Sequence, residues 1–264
     1  MDNVFASPAV DANLTGTQSN GIGNENRSIN DSPPVKDLQY WFEGEYIVFQ
    51  VENVLFRVPS HQFKQESDVF RGMLSLPRQR QGYTESSEGN SADNPIILPS
   101  TIRAEDFRNF LKAIYPLNAS ANIAQGLSKE ELESVLKLST MWYFLDFRKE
   151  AIAELSKRFD PAEKIAAGRA YKISQFMIDG FTRIITRDSL ITDLEAVIMD
   201  PLTAVALLRI RELNWNKIHR RLGLNVPNEI EKQFAEELKM IRQDEEGYKK
   251  IEQAPAVMPV PVGI

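Results

Sequence analysis

The 264-residue chain contains no cysteine and only two histidines, His61 and His219. Without sulfur it can form no disulfide, no thiolate nucleophile and no zinc site that needs cysteine. Two histidines far apart in sequence do not make a metal cage. Positive charge is also short, with 31 Lys and Arg against 37 Asp and Glu for a net charge of −6. Nucleic-acid binders draw their affinity from concentrated cations, so no nucleic-acid partner is expected. No stretch reaches the ~20 apolar residues of a membrane span, so no membrane partner is expected either. Residues 1–36 lack the basic start and apolar core of an export signal. The expected setting is therefore intracellular, cytoplasmic or nuclear. The Asn-x-Ser/Thr sequons at Asn13, Asn26, Asn30 and Asn118 read as chance matches in polar sequence.

What the chain does have is an ordinary globular composition, 42% hydrophobic and 26% charged, which suffices for a sizeable core. Residues 1–36 are Asn-, Ser- and Gly-rich, carry too few bulky groups to offset chain entropy, and are expected to be disordered. Order is expected from Leu38, Tyr40, Trp41 and Phe42 onward. Ile47–Val51 and Leu55–Val58, joined by Glu52-Asn53, read as a hairpin. Residues 60–76 show helical spacing through Phe63, Val69, Phe70, Met73 and Leu74, as two short helices. Residues 78–94 form a polar insert expected to be exposed and mobile. Ile96-Ile97-Leu98 between prolines is a short or edge strand.

From there the pattern is helical. Phe107, Phe110, Leu111 and Ile114 make a buried stripe. Ser128 to Glu131 is a capping box, opening a helix with Leu132, Val135, Leu136, Ser139 and Tyr143 inward. Asp146 is read as the cap of the next helix, whose inner residues are Phe147, Ala151, Leu155 and Phe159. Asp160-Pro161-Ala162-Glu163 is a strong helix start. Further helices carry Met177, Phe181 and Ile184, then Leu194, Val197 and Ile198, then Leu202, Val205 and Leu208. A last one begins near Pro227 with Ile230, Phe234, Leu238 and Ile241. The Pro- and Val-rich tail, 251–264, is expected to be flexible. A hairpin, a helix pair, one strand and then helices do not alternate as βαβ units. The fold class is α+β in front and all-α behind.

No catalytic constellation emerges. His61 stands at a helix start and His219 lies in the basic run Lys217–Arg221, both reading as surface positions. Gly21-Ile22-Gly23 lacks the third glycine and preceding strand of a dinucleotide loop. Glu130-Glu131 is explained by the helix start. No cofactor and no metal are expected, and the chain is read as a non-enzyme.

Certain runs carry a resemblance. Tyr40-Trp41-Phe42-Glu43-Gly44, Ile47–Val51, Phe56-Arg57-Val58 and above all Ser67-Asp68-Val69-Phe70-Arg71-Gly72-Met73-Leu74 with Ser75-Leu76-Pro77 resemble the BTB/POZ family. The likeness is to the single-domain members found in mushroom-forming fungi. The resemblance continues through Ile97-Leu98-Pro99, Leu136–Thr140, Ala170–Ile173 and Arg209–Leu213, and covers roughly 37–213. Pro59 in place of a histidine, Phe63 in place of a leucine and Glu45-Tyr46 in place of an aspartate depart from the family pattern. The charged pocket of transcriptional members is accordingly not expected.

The resemblance implies a BTB/POZ fold, a small sheet capped by helices, over 37–159 and a helical extension over 160–250. It implies a protein-interaction module that homodimerises, here through Leu38, Tyr40, Trp41, Phe63, Phe70 and Met73. It also implies a possible adaptor role towards a cullin-type ubiquitin ligase, with a partner face at Glu131, Val135, Leu138 and Trp142. The alternative it allows is a transcriptional or chromatin-associated regulator.

Overall fold

The computed structural model describes residues 35–41, 46–75, 88–116, 126–219 and 223–252. Several expectations lie outside them: residues 1–34 with Gly21-Ile22-Gly23, insert residues 78–87, Asn118, the tail from 253, and the side chains of Lys217–Arg221. Among the described residues, four strands form one sheet in the order β1-β3-β2-β4. β2 (Tyr46–Val51) and β3 (Val54–Pro59) are the expected antiparallel hairpin, with Val51 opposite Val54. Glu52 supplies the left-handed turn conformation at φ 54°. β1 (Val35–Trp41) runs parallel to β3, and β4 (Ile96–Ile97) runs parallel to β2. Strand structure thus starts at Val35, inside the stretch expected to lack order. The Val35 N–H donates to the Asn53 carbonyl, so the neighbouring strand supplies what local apolar content does not.

The hairpin leads into α1 (Ser60–Glu66) and α2 (Asp68–Ser75), parted by Ser67. α3 (Ala104–Ile114) begins without a side-chain cap of its own. Its first N–H donates instead to the Glu52 carboxylate at 3.0 Å, an acid from the hairpin turn at a helix N-terminus. The expected mobile insert is tied down at its end. Val48 donates to the Gly89 carbonyl, and the Gly89 N–H donates to the Asn94 carbonyl. Gly89, at φ 85°, is buried against Ile47 and Ile96.

α4 (Lys129–Trp142) packs between α3 and α5 (Leu145–Arg158). The expected capping box is present, and Tyr143 ends α4 in the left-handed region. Asp146 does not cap α5. The helix opens at Leu145 after Phe144, and Asp146 is exposed in its first turn. Sheet and helices enclose an aromatic core in which Phe49, Phe56, Phe63, Phe107, Phe110 and Phe144 are fully buried. Edge-on ring pairs such as Phe56–Phe107 at 4.9 Å and Phe110–Phe144 at 5.1 Å follow from the ring quadrupole.

The rear block comprises α6 (Pro161–Tyr171), α7 (Ser174–Thr186), α8 (Asp193–Met199), α9 (Pro201–His219), α10 (Val226–Gln233) and α11 (Ala235–Glu252). The helix expected near Pro227 is two helices that break at Phe234, but its stripe Ile230, Phe234, Leu238 and Ile241 is buried throughout. A second core gathers Ile165, Met177, Phe181, Leu207, Ile230 and Leu238, with Phe181 stacked on Phe234 at 4.2 Å.

α6 serves both cores, Ala162 and Ile165 in the second, Ala167 in the first. The Arg148 guanidinium of α5 donates to the carbonyls of Tyr171 and Lys172 at the end of α6. Position 159/160 is therefore a helix junction, not a gap in packing. The apolar residues that mark α8 and α9 in the sequence face outward: Leu194, Val197, Leu202, Val205 and Leu208 are exposed. α9 is apolar on both sides, and its opposite side, with Ala204, Leu207 and Ile210, fills the core.

Candidate interaction surfaces

The residues expected at a front dimer surface separate into four groups. Phe63 is fully buried and Phe70 nearly so. The Phe63 ring meets Phe49, Phe70, Phe110 and Phe144, and the Phe70 ring lies 5.5 Å from Trp142. Both belong to the protomer core, because the helix pair needs those rings to close over the sheet, and they present no surface. Met73 is 40% exposed and remains available. Trp41 is half-buried on the edge strand β1, with the Lys36 ammonium 4.6 Å and the Arg57 guanidinium 5.6 Å from its ring centre. Leu38 and Tyr40 lie on β1, but their side chains are outside the described residues.

The partner face expected on α4 is corrected more fully. Val135, Leu138 and Trp142 are buried, since α4 turns this side onto α3 and the aromatic core. Glu131 is half-buried and employed locally. Its carboxylate accepts from the Ser128 N–H at 2.8 Å and from the Lys112 ammonium at 2.5 Å, and both hold its carboxyl below the usual range.

Two further exposed apolar residues, Val69 and Met141, were not assigned to a surface. Val69 lies four residues before Met73, on the same face of α2, and is 45% exposed. Met141, near the end of α4, is 42% exposed. The Ser67 hydroxyl donates to the Trp142 carbonyl at 2.6 Å, which fastens the start of α2 to the end of α4. Spacing singled out neither: Met141 falls three residues after the buried Leu138, and Val69 shares its helical spacing with Phe70 and Leu74.

A polar cleft of about 290 Å³ lies between α3, α4 and the end of α6, lined by Arg103, Asp106, Glu133, Lys137 and Tyr171 among others. Asp106 is buried, which by itself would raise its carboxyl. Hydrogen bonds from Arg103 at 2.7 Å and Lys137 at 2.9 Å outweigh that burial and bring it down to about 2. Glu133 is pushed up by burial against the weaker pull of Lys129, with Glu163 and Glu130 adding to the rise. Ionic pairs inside the cleft satisfy Asp106, so its role is to join α3 to α4. His61 is exposed at the start of α1, and His219 ends α9. No group of three or more metal-ligating side chains occurs among the described residues. No described helix is long and apolar enough to cross a membrane.

A comparison with known protein families finds no family model that matches the chain, and no curated protein is similar to it.

Proposed function

We propose that the protein is a non-enzymatic interaction module of BTB/POZ type that pairs with a copy of itself through its front surface. Its action is intracellular, in the cytoplasm or the nucleus. The observation that carries this reading is the exposed apolar pair Val69 and Met73, which share one face of α2. Apolar side chains side by side on one helix face suit a surface that a partner covers. The element order supports the same reading: a hairpin, a helix pair, a short parallel strand and then helices follow the runs that carry the family resemblance. A two-fold pairing would bury this patch against its own copy. The adaptor role follows by analogy: one surface holds the copy, and another delivers a bound partner to a cullin-type ubiquitin ligase. The exposed Met141 end of α4, rather than Val135, Leu138 and Trp142, is where such a ligase subunit would be met.

The test is light scattering on full-length protein with and without Val69→Glu and Met73→Glu. The reading expects wild type above single-chain mass and a fall in mass with these variants, at unchanged helical circular dichroism. Equal masses for all forms would remove the front surface. Absence of any cullin among proteins crosslinked to the wild type, with Met141→Glu as control, would remove the adaptor role.

A further inference from the structure

A second cleft, of about 340 Å³, lies between α4 and α6, with Phe159 and Ile198 of α8 also in its wall. Ala166, Ala167 and Ala170 of α6 line it, and alanine side chains are too short to close the gap. Glu163 and Tyr171 stand at helical spacing with these alanines, on the same side of α6. Glu133 and Tyr171 line both this cleft and the polar cleft beside Asp106, so the two adjoin there. The second cleft is thus mostly apolar, with its polar groups at the shared wall.

The cations around this wall are already engaged. Lys129 pairs with Glu163 at 2.5 Å, and Arg103 and Lys137 pair with Asp106 at 2.7 and 2.9 Å. Glu130 is exposed and accepts from the Ser128 hydroxyl at 2.9 Å. Glu133 is different. It is half-buried, yet among the described residues its carboxylate enters no ion pair and no hydrogen bond. The Tyr171 hydroxyl also has no hydrogen-bond partner among them. A carboxylate drawn out of water without a partner is costly, and here burial with Glu163 and Glu130 nearby raises its carboxyl.

We propose that the α4–α6 cleft binds a small organic ammonium ion. Its charged head lies against the Glu133 carboxylate and the Tyr171 hydroxyl, and its hydrocarbon body lies along Ala166, Ala167 and Ala170. The charges choose this ligand. An ammonium supplies the one positive charge that the shared wall lacks, and the tyrosine ring adds a cation–π attraction. An anion would face Glu133 and Glu163 while Arg103 and Lys137 stay bound to Asp106. A divalent metal takes several oxygen ligands, and a single free carboxylate does not provide them. Clefts of about 300 Å³ and more, apolar with a few convergent polar groups, suit small ligands. The site uses neither Val69 nor Met73, so it stands or falls apart from self-association.

The deciding experiment is isothermal titration calorimetry of the full-length protein with 2-phenylethylamine near neutral pH, against 2-phenylethanol as the uncharged match. The amine binds with a dissociation constant on the order of 1 mM or below, and the alcohol binds at least about tenfold more weakly. Glu133→Gln weakens the amine at least about tenfold, the loss expected for a hydrogen-bonded charge. Ala170→Leu, at an exposed position, fills the cleft while leaving Glu133 in place, and weakens the amine by a similar factor. Circular dichroism and melting temperature confirm that each variant is folded. No binding of the amine up to about 10 mM would overturn the proposal. So would equal affinity for amine and alcohol, or a folded Glu133→Gln or Ala170→Leu variant that binds the amine as the parent does.

Discussion

Arg169 uses every face of its guanidinium. Nε donates to Glu237 at 2.6 Å, Nη1 to the Met199 carbonyl at 2.5 Å and to Asp200 at 2.7 Å, and Nη2 to Thr203 at 2.6 Å. These bonds join α6 to the α8–α9 corner and to α11. They also hold Asp200 at φ 75°, a conformation that a non-glycine residue adopts only under constraint. Hydrogen bonds to charged groups contribute about 1.5–3 kcal/mol, so Arg169→Ala should lower urea stability by about 2–3 kcal/mol. Arg169→Lys should recover little, because one ammonium cannot replace the fork. A wild-type urea midpoint for Arg169→Ala would show the network to be idle.

Asp106 makes a prediction about acid. Its carboxyl is lowered from 3.8 to about 2, so the folded state favours the ionised form. That stabilisation is complete above pH 4 to 5 and is lost as pH falls through about 2. Its size is on the order of 2 kcal/mol. Asp106→Asn should flatten the stability profile between pH 5 and pH 2. A profile parallel to wild type in that window would mean that Arg103 and Lys137 do not act on this carboxylate.

At the scale of elements, close approach sets the α6–α7 pair. A Cβ at Gly180 would lie 2.6 Å from the Pro161 carbonyl oxygen and 2.7 Å from the Ile165 side chain. Backbone cannot yield as a side chain can, so Gly180→Ala should cost about 1–3 kcal/mol. Gly72→Ala, with open space around it, should not destabilise the protein. Equal melting temperatures for the two variants would contradict this packing.

Helix starts were legible in sequence because capping is local: Ser128, Asp160 and Thr192 each stand three residues before the glutamate that answers them. The direction of the apolar stripes was not. Spacing tells which residues share a face, not which way that face turns. On α9, Leu202, Val205 and Leu208 compete with Ala204, Leu207 and Ile210, and only packing against α7 and α10 decides between them. β1 was hidden for the related reason that its hydrogen bonds come from β3, a partner distant in sequence. Phe63, Phe70 and Trp142 illustrate the same limit, since large aromatics mark core and interface alike.

For the molecule as a whole, the structure is α+β in front and helical behind, with two apolar cores meeting at α6. The front hairpin, helix pair and short parallel strand follow the runs on which the family resemblance rests. What sequence did not disclose is where the molecule is unfinished. Val69 and Met73 on α2 stay exposed, and on the proposed reading a second copy closes over them. Mass in solution therefore bears most directly on the account. Light scattering of the wild-type chain at high micromolar concentration should give at least twice the chain mass of 30.0 kDa. A single-chain mass that persists at that concentration would contradict it.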